Sequence, residues 1–158
     1  MLESCAVKAM PDYRSTAFRA EIRYEMHEMV ITAEIHAGNI VSNVGVKRDV
    51  ELNFTSPPEL AGLCVRRVGG EVNMIRGETV VPITDIDSAL PSLAAVDLMT
   101  CDGELCEIEK TEENGIPMCR ARIVGKNGNI ELLCDGEGVP KRISDGKLLV
   151  TVIRFEAK

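Results

Sequence analysis

The chain has 158 residues, 45% of them hydrophobic and 3% aromatic, with a formal charge of −7. That length and apolar content suit one domain with a real core. The acidic balance disfavours a nucleic-acid partner, because phosphate binding needs a basic footprint and Arg66-Arg67 and Lys141-Arg142 are isolated pairs, read as solvated strand ends. With no Trp, base-stacking platforms are missing too.

At the N-terminus, Leu2-Glu3-Ser4-Cys5 has the shape of the end of a lipobox, which makes Cys5 a candidate lipidation site and residues 1–15 a tail or lipoprotein linker. Residues 16–158 then form a single domain. No run approaches the roughly 18 apolar residues that span a bilayer. Six cysteines are present without a CxxC or a Cys/His cluster at zinc spacing, so no metal is expected and the pairing of the thiols stays open.

Residues 17–24, AFRAEIRY, alternate strictly, with Phe18, Ala20, Ile22 and Tyr24 on one face, which predicts a half-buried antiparallel strand. Residues 30–37 repeat the pattern with Ile31, Ala33, Ile35 and Ala37 inward. His27 falls in the turn between them and His36 on the outer face beside Glu34; both read as solvated. After a weakly patterned stretch, Val50, Leu52 and Phe54 alternate inward until Pro57 and Pro58, which cannot donate ladder hydrogen bonds, end the strand. The following turn is expected to tuck Leu60 and Leu63 under the sheet, with Gly62 at a backbone angle other residues resist.

A Gly69-Gly70 hairpin follows, and residues 84–101 form the one principal helix, with Pro91 suited to its first turn and Leu90, Leu93, Ala94, Val96 and Leu98 on its apolar face. Asp85 and Asp87 read as capping residues rather than a cation site. The last third is a meander turning at Asn114-Gly115 and around residues 125–129. Cys106 is expected to share a face with Ile108, Cys119 with Ala121 and Ile123, and Cys134 with Ile130 and Leu132. A Lys126-Asn127 loop sets Cys119 opposite Cys134; an Asn127-Gly128 turn does not. The final strand is apolar on both faces, Leu148, Val150 and Val152 against Leu149, Ile153 and Phe155, and so central or covered on both sides.

About nine antiparallel strands and one helix predict a mainly β fold, a curved sheet or open half-barrel with the helix packed in its concave face. Phe18, Ile22, Ile31, Ile35, Leu52 and Phe54, facing Leu93 and Val96, are the candidate lining of a cavity for a lipid or acyl chain, or else they simply fill the core. Glu107, Glu109, Glu112 and Glu113 lie outward or in a turn and neither His has a catalytic companion, so no enzyme and no cofactor is expected.

These features resemble the LolA/LolB-type lipoprotein-carrier superfamily over roughly residues 16–156. The resemblance rests on the order AFRAEI, ITAEI, FTSPPELAGL, a GG hairpin, a Pro-started helix and GEGVPKRI, with Phe54, Pro57, Leu60, Gly62, Leu63, Gly138, Pro140 and Ile143 as local matches. Within it the chain is most similar to small lipoproteins of Gram-positive spore-formers such as the germination lipoprotein GerS. The resemblance implies an extracytoplasmic half-barrel, anchored by a lipidated cysteine. In the carrier branch such a fold binds acyl chains. In the germination branch it is a non-catalytic partner of a cell-wall amidase and forms a homodimer by strand exchange. Only one clear helix and an unusual number of cysteines depart from the carrier pattern.

Overall fold

The computed structural model describes residues 12–40, 47–84, 86–125 and 128–158, with residues 86–92 described in backbone alone. Cys5, Asp85, the side chains of Asp87, Leu90 and Pro91, and the Lys126-Asn127 turn lie outside the described residues.

Eleven strands are present among the described residues: β1 (Phe18–Met26), β2 (Met29–Ala37), β3 (Val50–Ser56), β4 (Leu63–Val68), β5 (Glu71–Arg76), β6 (Thr79–Ile83), β7 (Glu104–Glu113), β8 (Ile116–Gly125), β9 (Gly128–Asp135), β10 (Pro140–Ser144) and β11 (Leu149–Ala157). They form one open, curved sheet in the order β6-β5-β4-β3-β2-β1-β11-β10-β9-β8-β7. Two sequential meanders are therefore joined where β1 pairs antiparallel with β11. One helix, α1 (Ile86–Met99), connects β6 at one edge to β7 at the other. Its buried residues Leu93, Ala95, Val96, Leu98 and Met99 pack on the concave face.

The alternation of β1 and β2 holds in full: Phe18, Ala20, Ile22 and Tyr24 are buried, as are Ile31, Ala33, Ile35 and Ala37 across the ladder. His27 and Glu28 form the two-residue turn, both with positive φ, as the twist of a tight hairpin requires. Several expectations fail where the period-two rule is interrupted. β6 carries Pro82 and does not read as a strand. It is an edge strand, where a proline is tolerated, and Pro82 stands opposite Asn73. In β11 the register slips between Glu21 and Ile22, so Ile153 is the extra residue of a bulge. Phe155 therefore joins the concave face with Val150 and Val152, opposite Ala20, instead of sharing a face with Leu149 and Ile153. The strand is central but not covered on both sides: Leu149 and Ile153 are exposed.

A second bulge at Glu107-Ile108, with Glu107 at φ 50, leaves Cys106 opposite Arg122. That side is convex, so the expected sharing of a face by Cys106 and Ile108 is broken. Across β8 and β9, Gly125 pairs with Gly128 and Cys119 with Cys134, so the connection is the two-residue one. Pro91 is the sixth residue of α1, not part of its first turn, and its missing N–H leaves the carbonyl of Asp87 without a helical donor.

The domain boundary expected at residue 16 falls inside packed structure. Residues 13–15 form a 3-10 turn capped by Asp12, and Tyr13 is buried in the core. Tyr13, Phe18 and Phe155, three of the chain's five aromatic side chains, meet at centroid distances of 5.4–5.7 Å. Such a cluster ties the first turn to both strands of the central pair.

β3 ends at Ser56, and a cis Ser56-Pro57 bond opens the turn. The amides of Leu60 and Ala61 donate to the Pro57 carbonyl, and that of Gly62 to Phe54. Leu60 and Leu63 are partly buried against the core, as the sequence suggested. Gly62 has φ +90 with open space where a Cβ would point, whereas at Gly103, φ +138, a Cβ would lie 2.5 Å from the Val124 carbonyl oxygen. Gly62→Ala should therefore cost only backbone strain, roughly 1–2 kcal/mol, and Gly103→Ala distinctly more, because the clash adds to the strain. Urea unfolding of the two variants measures the order; equal losses would contradict it.

Candidate functional site

The eight candidate lining residues converge on one place. Phe18 and Ile22 come from β1, Ile31 and Ile35 from β2, Leu52 and Phe54 from β3, and Leu93 and Val96 from α1. All are 0–6% exposed and belong to a single apolar cluster. Their register explains the convergence: Ile35 faces Leu52 across one ladder, and Ala33 sits between Ile22 and Phe54 across two. The side chains close on one another and on the helix rather than border an open space. The grooves found among the described residues lie elsewhere, one of about 310 Å³ beside Arg120, Leu133 and Arg142 and one of about 280 Å³ beside His36, Asp49 and Arg66.

Polar groups that the sequence reading did not place also reach the concave side. Arg67 is not a solvated strand end. Alternation sends Arg66 outward to Glu51 at 2.9 Å and Arg67 inward beside Val65, where it is 6% exposed and its Nη1 donates to Asp97 of α1 at 2.9 Å. The Arg67 Nε is buried and has no hydrogen-bond partner among the described residues, and the same holds for the Tyr24 hydroxyl. Buried polar atoms of this kind are uncommon, since each forgoes a hydrogen bond it had in water. The available signal for Arg67 was its position two residues after inward Val65.

The C-terminus of α1 is held from the chain's first described turn. The Tyr13 hydroxyl donates to the Met99 carbonyl at 2.8 Å, and Arg14 Nη1 donates to the carbonyls of Cys101 and Gly103 at 2.9 and 3.2 Å. The last turn of α1 has no basic residue of its own, so Arg14, itself paired with Asp12, supplies the positive charge that a helix C-terminus favours. Arg48 lies 5.3 Å over the Phe18 ring and donates to the carbonyl of Thr16 at 3.1 Å. On the convex side Glu107, Glu109 and Glu113 face Arg122, Arg120 and Arg142. His36 sits 2.7 Å from Glu34, which Arg19 holds below its usual carboxylate range. Among the described residues there is no group of three His, Cys, Asp or Glu placed to hold a metal, and no helix long and apolar enough to cross a membrane.

No protein-family model and no curated protein matches the chain. Solved structures do. An uncharacterised conserved protein of Thermus thermophilus superposes with a TM-score of 0.55 at 15% identity, over 100% of this chain and 88% of that one. A LolA superfamily protein of Nitrosomonas europaea gives 0.47 at 11% identity, over 99% and 92%. The MucA/MucB complex of Pseudomonas aeruginosa gives 0.46 at 16% identity, over 99% of this chain and 57% of the matched one. LolA superfamily proteins are thus among the structural neighbours, and the likeness is one of fold.

Burial pushes Tyr24 up from 10.0 to about 12 and raises Tyr13 well above its ordinary value. A folded pKa above the unfolded one means that the fold favours the neutral phenol. This contribution to stability is present in full below about pH 10 and lost as pH rises through the folded pKa. With only two tyrosines in the chain, phenolate absorbance should stay low through pH 10 and appear together with loss of the β-sheet circular dichroism. Phenolate signal at pH 10 from an intact fold would contradict the burial of both rings.

Proposed function

We propose that this chain is a non-enzymatic, extracytoplasmic, lipoprotein-type domain that holds an acyl chain or similar lipid between α1 and the concave face of the sheet. The observation that carries the reading is the continuous apolar seam of the eight residues beneath a single covering helix. An acyl chain is the ligand whose surface can replace the helix's apolar contacts when the helix lifts. The Tyr24 hydroxyl, buried without a partner among the described residues, offers a donor for an ester or carboxyl carbonyl inside that seam. Anchoring through Cys5 and residence in the cell envelope follow from the resemblance in sequence.

A second reading makes the protein an anchored, non-catalytic partner of an envelope enzyme such as a germination amidase, as in the GerS-like branch. It is favoured by the exposed apolar edge at β6, where Val80 and Val81 are 56% and 53% exposed. A homodimer by strand exchange belongs to that reading.

Native mass spectrometry of the protein from its own envelope, with lipid extraction alongside, separates the two. The carrier reading expects an acyl species on a monomer. An empty dimer or a complex with another envelope protein would shift the weight to the second reading. Asp97→Asn should also raise the apparent affinity for a fluorescent fatty-acid probe about 5-fold, because losing roughly 1 kcal/mol of the helix tie increases the open fraction. An unchanged or weakened affinity in a folded variant would count against access beneath the helix.

A further inference from the structure

We infer that Cys119 and Cys134 form a disulfide across β8 and β9, and that this pair, not any other among the described thiols, is the redox-active one. The two residues are directly opposite in an unbroken antiparallel register running from Met118↔Asp135 to Gly125↔Gly128. Opposed residues in such a ladder hold their Cα atoms about 4.5–5.5 Å apart, inside the range a disulfide spans. Both side chains belong to the concave side: Cys119 lies on the face of buried Ala121 and Ile123, and Cys134 is 1% exposed within the core cluster. The other described thiols have no cysteine opposite them. Cys64 faces Ile75 and Asn53, and Cys106 faces Arg122.

The exposures divide the chemistry. Cys119 is half-buried and open to a reagent, whereas Cys134 is shielded. The thiolate of Cys119 attacks one sulfur of an oxidant disulfide, either a small-molecule disulfide or a protein oxidant, and displaces the first thiol. The Cys134 thiolate then attacks Cys119 Sγ in the mixed disulfide and displaces the second thiol. Two protein thiols lose two electrons and two protons, and the oxidant disulfide is reduced to two thiols. Burial, with Asp135 and Cys119 adding to it, pushes the Cys134 thiol up to about 12, so the closing step should quicken with rising pH. The bond staples two adjacent strands of the second meander and constrains the unfolded chain between them.

The test uses the full chain incubated with oxidised glutathione, then alkylated, digested without reduction and mapped. The expected result is one linked peptide joining Cys119 to Cys134, with Cys64, Cys101 and Cys106 still alkylated and a higher Tm than the reduced protein. Cys119→Ser, a change at a half-buried position, should remove the linked peptide and leave Cys134 free, and the Tm should then no longer respond to the oxidant. Both thiols remaining alkylated, or a different linkage such as Cys101 to Cys134, would overturn the inference. Acid-trapped protein from its own cells, labelled before and after reduction, shows whether the bond is present there; both thiols labelled before reduction would overturn its formation in the cell.

Discussion

Everything in this structure hangs on the antiparallel pairing of the first strand with the last. β1 and β11 are separated by nearly the whole chain, yet they lie side by side at the middle of the sheet. All other strand pairs are neighbours in sequence, so each meander can form from local contacts, and only this ladder joins them. The cost of closing so long a loop grows slowly with its length. It is offset by a ladder backed by fully buried Phe18, Ile22 and Val150 and by the aromatic contacts of Phe155 with Phe18 and Tyr13.

The same topology dictates where the helix goes. β6 and β7 are opposite edges of the sheet and consecutive strands in the chain, so their connection has to traverse a face. The concave face is the apolar one, and α1 meets it with its own apolar residues. Its fixed polar ties are set near the C-terminal half, through Asp97 to Arg67 and through the Met99 and Cys101 carbonyls to Tyr13 and Arg14. The remainder of the seam is held by non-directional apolar contact, which a flexible hydrocarbon can replace and a polar ligand cannot. This asymmetry makes the seam, rather than the convex grooves, the natural seat of a hydrophobic ligand.

The convex face is built differently. Arg120, Arg122 and Arg142 each meet a glutamate of β7, and Arg19, Glu34 and His36 form a further polar row. Exposed ion pairs contribute little stability each. Their use here is to keep the open side of a large sheet wet, while the bulge at Glu107 and the proline in β6 interrupt the two free edges, where unpaired backbone groups invite unwanted strand addition.

Much of this was legible in the amino-acid order. Period-two alternation identified β1, β2 and β3 and their inward residues, because one face of an antiparallel sheet is dry and the other wet. The prolines and Gly62 marked the turn after β3, and an apolar run with helical spacing marked α1. The candidate seam was legible for the same reason, since its members are the inward set of those elements. What alternation cannot see is a change of phase. The bulges at Ile153 and Glu107 reversed the faces of Phe155 and Cys106, because one extra residue moves everything after it to the other side. The sequence by itself thus determined which residues are apolar and in what local rhythm, and with it the class of fold. Only the tertiary structure decided which strands became neighbours and how they were registered. It sent Arg67 to Asp97 and Tyr13 to Met99, and it set Cys119 against Cys134. Those partners are distant in the chain or depend on the length of a turn, and no local pattern encodes which of several inward residues will meet.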